Sequence, residues 1–263
     1  MSRIFFQDFP CAGRSEAPVL VLLHGWGMQS AVWETFIPLL TPHVHVRCID
    51  LPGHGRSAAV AMPASLDDLA DKLLEVAPAR AVWLGWSLGG LVALAQAARQ
   101  PSRVSHLVLM AATPCFVQRD DWSCAMSQQD FAAFGEALQQ DAEAALKRFL
   151  ALQCHGAVSR KEDLRFLQSC LTQQPVPSVD ALVRGLAMLK DNDRRTQMSS
   201  LSVPVLYLLG EQDALVPARV APALSFLLPS STIRVMEGAA HVPFLSHPQS
   251  CAGAIADFIG SRS

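Results

Sequence analysis

The pentapeptide Gly85-Trp86-Ser87-Leu88-Gly89 places a serine between two glycines, the G-x-S-x-G pattern of nucleophilic serines. It follows a short apolar run at residues 81–84 and leads into an apolar segment at residues 88–100, which predicts the order strand, sharp turn, helix. Small residues fit such a turn without clashes, and a helix N-terminus favours developing negative charge. The sequence therefore predicts Ser87 as a nucleophile, with a chance Gly-Ser-Gly turn as the alternative.

A serine hydroxyl is a weak nucleophile that needs a general base, and the base needs an acid to orient it. When the serine occupies this kind of turn, the acid and then the histidine follow it in chain order, each after a strand. Asp213 follows the apolar run 203–209, and His241 follows the run 232–236. We predict Asp213 as the acid and His241 as the base.

Other residues compete for these two roles. Glu211 is the alternative acid, although a carboxylate two residues nearer the strand would point elsewhere. Asp50 also ends a predicted strand, but it precedes the serine and is interpreted as holding the loop that follows it. His247 is interpreted as a residue of a helix entry. Four further histidines are interpreted as surface or strand residues: His43, His45, His106 and His155.

The negative charge that forms on the carbonyl oxygen of the substrate needs two backbone N–H donors. The first is predicted to come from Leu88, directly after the nucleophile. The second is predicted to come from Trp26, in the glycine-rich loop after the run 19–23. Packing of the Trp26 indole in a core is compatible with this role, because the donor belongs to the main chain.

The elements that must position these residues alternate along the chain. Continuous apolar runs, typical of strands buried on both faces, occupy residues 19–23, 44–49, 81–84, 104–110, 203–209 and 232–236. Helical patterns at residues 65–77 and 88–100 separate some of them, and Ser65 with Asp68 predicts a capping box. This alternation predicts an α/β fold with a mostly parallel, doubly wound sheet.

Residues 114–200 break the pattern. They show no convincing strand but four helical stretches, at 130–138, 141–152, 159–171 and 178–190, and Ser159 with Glu162 predicts a second capping box. A helical stretch between two strands of one sheet is typical of a lid. We therefore predict a catalytic core of residues 1–113 and 201–263 with a helical cap at 114–200, which we call the cap segment.

The composition of the 263 residues excludes several classes of protein. A formal charge of −2 with 51% apolar residues argues against disorder and against nucleic-acid binding. No apolar run reaches the ~18 residues of a membrane span, and residues 1–8 lack the apolar core of a signal peptide. Seven scattered cysteines without a C-x-x-C pair fit a reducing cytoplasm. We expect a cytoplasmic monomer that needs no metal and no organic cofactor.

The whole chain resembles the α/β-hydrolase superfamily. A closer resemblance, to the esterases that demethylate a pimeloyl chain on acyl carrier protein in biotin synthesis, is carried by the strings LLHGWGM, DLPGHGRS, WLGWSLGGLVA, RFLALQ, DALVP and AAHVPFLSHP. It implies a Ser-His-Asp carboxylesterase with a methyl pimeloyl carrier protein as its partner. The alternatives are a general short-chain carboxylesterase and, from a different class, a non-catalytic ligand receptor.

The resemblance also implies roles for further residues. Substrate contacts fall on Trp26, Ser87, Leu88, Phe149, Leu150, Ala151, Leu152, Gln153 and His241. The basic positions that meet the acidic carrier fall on Arg148, Lys161 and Arg165. One of these positions carries lysine where the family has arginine, and a further family arginine is replaced near Ala144.

Residue patterns within the cap segment support two of these roles independently of the family resemblance. Phe149 shares an apolar stripe with Leu146 and Leu150, which favours either a contact to a methylene chain or ordinary core packing. Lys161 and Arg165 are four residues apart and share one face of a helix. That face is either a docking surface or a solvated charged face.

Overall fold

The apolar runs of the sequence form one sheet in the computed structural model, which describes residues 3–260. Its strand order is β1-β3-β2-β4-β5-β6-β7, and only the β1–β3 pair is antiparallel. The strands are β1 (Phe6–Phe9), β2 (Val19–Leu23), β3 (His45–Ile49), β4 (Ala81–Trp86), β5 (Val104–Met110), β6 (Val205–Gly210) and β7 (Thr232–Met236). The predicted mostly parallel α/β sheet is confirmed, and β1 is an addition to it.

Helices cover both faces of the sheet and fill the interval between β5 and β6. They are α1 (Ile37–Leu40), α2 (Leu66–Leu73), α3 (Leu88–Arg99), α4 (Gln128–Gln140), α5 (Ala142–Gln153), α6 (Arg160–Gln173), α7 (Val179–Asp191), α8 (Arg195–Met198), α9 (Ala221–Leu227), α10 (Pro243–Ser246) and α11 (Pro248–Gly260). Helices α4 to α7 match the four helical stretches predicted for the cap segment.

Two hydrophobic cores lie on opposite faces of the sheet because neighbouring strand residues point to opposite sides. In β4, Trp83 belongs to the core that also contains α2 and α3, whereas Val82 and Leu84 belong to the core that contains α1 and α11. Every residue of β4 is buried. Burial on both faces explains why this strand reads as a continuous apolar run.

The two predicted helix starts have different outcomes. The N–H of Asp68 donates to Ser65 Oγ at 3.1 Å, so Ser65 caps α2 as predicted. The predicted capping box at Ser159 and Glu162 is wrong. Ser159 has φ −80° and ψ 11° instead of the extended backbone of a typical N-cap, and its hydroxyl donates to Asp163 Oδ2 at 2.6 Å.

The division of the chain into a core and a cap stays a prediction. The predicted core includes Met1, Ser2 and residues 261–263, which lie outside the described residues. Between residues 3 and 260, none of the helices combines the length and the apolar character that crossing a membrane would require.

Candidate active site

The turn between β4 and α3 carries Ser87 in a rare backbone conformation. Its φ of 54° and ψ of −117° lie where few residues other than glycine are found. A side chain at Gly85 would come within 2.1 Å of Gly89 O, and one at Gly89 within 2.4 Å of Leu23 O. The two glycines therefore allow β4, the turn and α3 to pack this closely, which leaves the serine at the N-terminus of α3.

Asp213 follows β6 and His241 follows β7 in the chain, and their buried side chains form a pair. His241 Nδ1 lies 2.7 Å from Asp213 Oδ2, and the N–H groups of Leu215 and Val216 donate to Oδ1 at 2.8 and 2.9 Å. Because a carboxylate only accepts hydrogen bonds, Nδ1 carries the proton and Nε2 keeps its lone pair. Nε2 is buried and has no hydrogen-bond partner among residues 3–260. This arrangement fits a general base.

The main chain of His241 is held from two sides. Its N–H donates to Gln153 O, at the end of α5, at 3.0 Å. Its carbonyl accepts from the indole Nε1 of Trp86 at 2.8 Å. The histidine is therefore tied both to the strand that leads to Ser87 and to a helix of the cap segment.

The alternative acids take other positions. The exposed Glu211 carboxylate accepts the N–H of Gly238 at 2.9 Å, and no ion pair or hydrogen bond joins it to His241 within the described chain. Asp50 accepts the N–H groups of Ser30 and Arg56 at 2.6 and 2.9 Å and thereby holds two loops together. Of the carboxylates of Asp50, Glu211 and Asp213, that of Asp213 is the one hydrogen-bonded to His241.

The two predicted oxyanion donors have free main-chain N–H groups. Neither the N–H of Trp26 nor that of Leu88 donates to another residue in the described range. The Trp26 side chain is fully buried and donates from Nε1 to Leu182 O at 2.8 Å. Phe134 and Phe149 pack edge-on against its ring, with centroids 5.2 and 4.9 Å away.

A mostly apolar cavity of about 80 Å³ lies against Ser87 and Trp26. Leu152 and Asp130 are exposed residues of its wall and mark its mouth. The residues that line it are Trp26, Ser87, Phe116, Met126, Asp130, Phe131, Phe134, Phe149, Leu152, Leu186, Leu189 and Leu215. Such a lining suits a hydrocarbon chain whose reacting group reaches the serine.

Only part of the predicted substrate set lines this cavity, namely Trp26, Ser87, Phe149 and Leu152. The predicted contacts outside the lining are Leu88, Leu150, Ala151, Gln153 and His241. Leu150 packs in the core on the other face of the sheet, because consecutive helix residues point about 100° apart. Leu146, on the predicted stripe, packs beside Gly27 instead.

The sequence interpretation missed the lining residues of α4 and α7. Phe131 and Phe134 are three residues apart on α4, and Leu186 and Leu189 have the same spacing on α7. This spacing is a signal for a shared helix face, but it does not distinguish a cavity wall from a core.

Three basic residues of the cap segment are free of ion pairs. Arg148 on α5 and Lys161 and Arg165 on α6 are exposed, and none forms a salt bridge with a described residue. Arg160, next to Lys161, is likewise exposed and unpaired within that range, although the sequence did not single it out. Helices α5 and α6 pack against each other, so these charges belong to one part of the surface.

Among residues 3–260, no group of three or more His, Cys, Asp or Glu side chains is arranged to hold a metal ion.

The chain matches the family model for the α/β-hydrolase fold over residues 18–248. Curated relatives from Pectobacterium atrosepticum and Edwardsiella ictaluri are 45% and 43% identical. The first match covers 87% of this chain and 89% of the relative, and the second covers both chains fully. Both relatives are named pimeloyl-[acyl-carrier protein] methyl ester esterase.

Solved structures show the same fold at lower identity. An esterase from Exiguobacterium antarcticum is 22% identical, with a TM-score of 0.83 over 97% of this chain and 95% of that one. A bromoperoxidase from Bacillus anthracis is 19% identical, with a TM-score of 0.80 over 97% and 95%. The chain belongs to the α/β-hydrolase family and, within it, to the family of carboxylic ester hydrolases that these curated relatives represent.

Proposed function

We propose that the enzyme hydrolyses the methyl ester of a pimeloyl chain on acyl carrier protein, releasing methanol and the free pimeloyl carboxylate, as a step of biotin synthesis. The observation that carries the catalytic part is the buried His241–Asp213 pair, in which His241 Nε2 has no hydrogen-bond partner among residues 3–260. Ser87, in the turn between β4 and α3, supplies the nucleophile. The substrate is taken from the names of the relatives, and the apolar cavity at Ser87 supports it.

The reaction proceeds through an acyl-enzyme. His241 Nε2 takes the hydroxyl proton as Ser87 Oγ attacks the ester carbonyl, and the N–H groups of Trp26 and Leu88 stabilise the oxyanion. Collapse of this intermediate breaks the bond to the methoxy oxygen, which leaves as methanol with the proton from His241. Water then attacks the acyl-enzyme by the same route, and Asp213 keeps the histidine in the required tautomer throughout.

The cavity favours a neutral ester over a free acid. Its walls are largely Phe and Leu side chains, and Asp130 lies at its mouth. An unpaired carboxylate buried there would lose its hydration and meet a like charge. A methyl ester avoids both costs. Because helices α4, α5 and α7 supply much of this lining, the arrangement supports the assignment of residues 114–200 as a cap over the site.

Carrier recognition is proposed for Arg148, Lys161 and Arg165. Exposed cations that form no ion pair with residues 3–260 suit an acidic protein partner and would steer its approach. The seven free thiols support a reducing cytoplasm as the compartment. One chain supplies Ser87, Asp213 and His241, which supports a monomeric enzyme.

The test is incubation of the enzyme with methyl pimeloyl carrier protein, with methanol or the free carboxylate followed over time. The wild type should cleave it, and Ser87→Ala should lower kcat by about 10³-fold or more while the protein stays folded. Cleavage at a near-normal rate by Ser87→Ala would contradict the nucleophile assignment.

A triple variant Arg148→Glu, Lys161→Glu, Arg165→Glu tests the carrier surface. Its KM for the carrier substrate should rise on the order of 10-fold or more, and its kinetics on a p-nitrophenyl ester should stay within about twofold. Arg184→Glu, at a cation already paired with Asp180, is the matched control. Equal KM values for the triple variant and the wild type would refute the docking role.

A general short-chain carboxylesterase is the second candidate. The cavity of about 80 Å³ favours it, since pockets for drug-sized ligands span roughly 300–1,000 Å³. Hydrolysis of short p-nitrophenyl esters combined with no cleavage of methyl pimeloyl carrier protein would select this candidate.

A further inference from the structure

Helix α7 contacts both residues that are proposed to supply the oxyanion donors. The carbonyl of Leu182 accepts the Trp26 indole N–H at 2.8 Å. One turn further, a Cβ added at Gly185 would lie 2.9 Å from Trp26 Cδ1 and 3.2 Å from Leu88 Cδ2. The side chains of Trp26, in the loop after β2, and of Leu88, the first residue of α3, therefore meet at one glycine of the cap segment.

Trp26 is closely packed beside this contact, and its open side faces the cavity at Ser87. Its side chain is fully buried, and the rings of Phe134 on α4 and Phe149 on α5 pack against it. The indole is thus held by three helices of the cap segment. A displacement of the ring at Gly185 would pass in part to its own main chain, because the rings of Phe134 and Phe149 occupy the space beside it.

Catalysis is sensitive to the position of this main chain. The loss of one oxyanion donor lowers kcat by about 10²–10³-fold, and a misplacement of about 1 Å costs around 10²-fold. The donors of Trp26 and Leu88 act together only when both point to the same oxygen, so a contact shared by both residues controls their relative position.

We propose that Gly185 and the Leu182 carbonyl are positioning groups for the oxyanion hole, so that the hole is assembled by the docking of α7 onto the core. This inference rests on the roles proposed above for the N–H groups of Trp26 and Leu88. It adds a function to the cap segment: α7 fixes the catalytic geometry in addition to enclosing the acyl chain.

The effect should appear in kcat and not in the ionisation of the base. The His241–Asp213 pair is held by Gln153, Trp86 and the backbone after Asp213, none of which belongs to α7. The midpoint of the pH–rate profile, which reports the catalytic base, should therefore stay unchanged when α7 is altered at Gly185.

Gly185→Ala is the test variant, and two other helix glycines provide matched controls. A Cβ at Gly253 on α11 would meet nothing within 4 Å, and a Cβ at Gly135 on α4 would lie 3.7 Å from Leu186 Cδ2, an ordinary contact. All three substitutions bring the same gain in helix propensity. Their kcat and KM are measured on p-nitrophenyl acetate, together with the pH profile and thermal unfolding.

Gly185→Ala should lower kcat about 10- to 100-fold, with KM within about threefold and an unchanged pH midpoint. Gly135→Ala and Gly253→Ala should stay within about twofold of the wild type. A kcat for Gly185→Ala that equals that of Gly253→Ala would overturn the proposal, as would a loss explained by a shifted pH midpoint.

Trp26→Phe provides a second route, because it removes the indole N–H that binds Leu182 O while an aromatic ring remains. It should also lower kcat with KM nearly unchanged, which tests the proposal even where Gly185→Ala fails to fold. The double variant of Gly185→Ala and Trp26→Phe should have a kcat close to that of the slower single variant, because both changes act on the same ring. Rate losses that multiply would overturn the shared mechanism.

The test of the role of α7 can be separated from the test of the proposed substrate. A wild type that hydrolyses p-nitrophenyl acetate but not methyl pimeloyl carrier protein would refute the carrier substrate and leave the role of α7 to be judged on the nitrophenyl ester. A wild type that hydrolyses neither would overturn both proposals.

Discussion

The fold should lose stability in mild acid because His54 is buried in its neutral form. His54 is fully buried, its Nδ1 donates to Pro52 O at 2.9 Å, and its Nε2 has no partner within the described chain. Burial, and second the proximity of His24 with ring centroids 5.3 Å apart, lower the pKa of His54 to about 3 from 6.5.

The direction in which stability changes with pH follows from the lower pKa of His54 in the folded state. The unfolded chain binds a proton at pH values where folded His54 stays neutral, so the stabilisation is complete above pH 6.5 and is lost as the pH falls toward 3. A pH of 5 is about 1.5 units below the pKa of His54 in the unfolded chain. This difference amounts to about 2 kcal/mol of lost stability relative to pH 8.

His54→Asn isolates this contribution, since asparagine keeps an N–H donor for Pro52 O and does not titrate. Urea unfolding at pH 8 and pH 5, followed by tryptophan fluorescence, gives the free energy of unfolding of each protein. Between these pH values the wild type should lose about 2 kcal/mol more than His54→Asn. His43→Asn, at an exposed histidine, should keep the wild-type pH dependence. Parallel losses in the wild type and His54→Asn would refute the reasoning.

Three further predictions concern the site and the core. Asp213→Asn should leave the fold intact and lower kcat about 10³–10⁴-fold, because His241 loses the partner that fixes its tautomer; a fall of less than tenfold would speak against that role. Gly85→Ala should lower Tm by about 6–12 °C, since its Cβ would lie 2.1 Å from Gly89 O; an unchanged melting curve would contradict the packing described here. Ellman's reagent should modify one thiol rapidly in the native protein, the half-buried Cys124, and seven after denaturation. Rapid native labelling that persists in Cys124→Ser would show that a buried thiol is accessible.

The chain order of the site could be predicted from the sequence because each candidate follows a predicted strand, and the carboxyl ends of parallel strands meet at one edge of a sheet. Ser87 and Asp213 follow the fully buried strands β4 and β6, whereas His241 follows β7, which is largely exposed at the sheet edge and not buried on both faces as its sequence pattern predicted. Strand β1 carries no such pattern. Phe6, Gln7 and Asp8 are exposed, and β1 is held at the sheet edge by backbone pairing to β3.

The cavity wall could not be predicted because it depends on how helices pack. Phe149 and Leu150 are adjacent on α5, yet one lines the cavity and the other lies in the opposite core. A hydrophobic pattern locates an apolar face but not the surface that it meets. The close approach of Gly185 to Trp26 is a stronger case. The two residues are far apart in sequence, and the approach is possible because glycine has no side chain.

The order of the strands has a consequence for the protein as it is synthesised. Strands β1 to β5 form a contiguous part of the sheet, so most of the core and Ser87 are available before the cap segment has been translated. The base arrives only with β6 and β7, which add Asp213 and His241 at the far edge. A chain interrupted after β5 thus exposes a serine without its activating histidine, and the cell acquires esterase activity only from chains whose synthesis has passed β7.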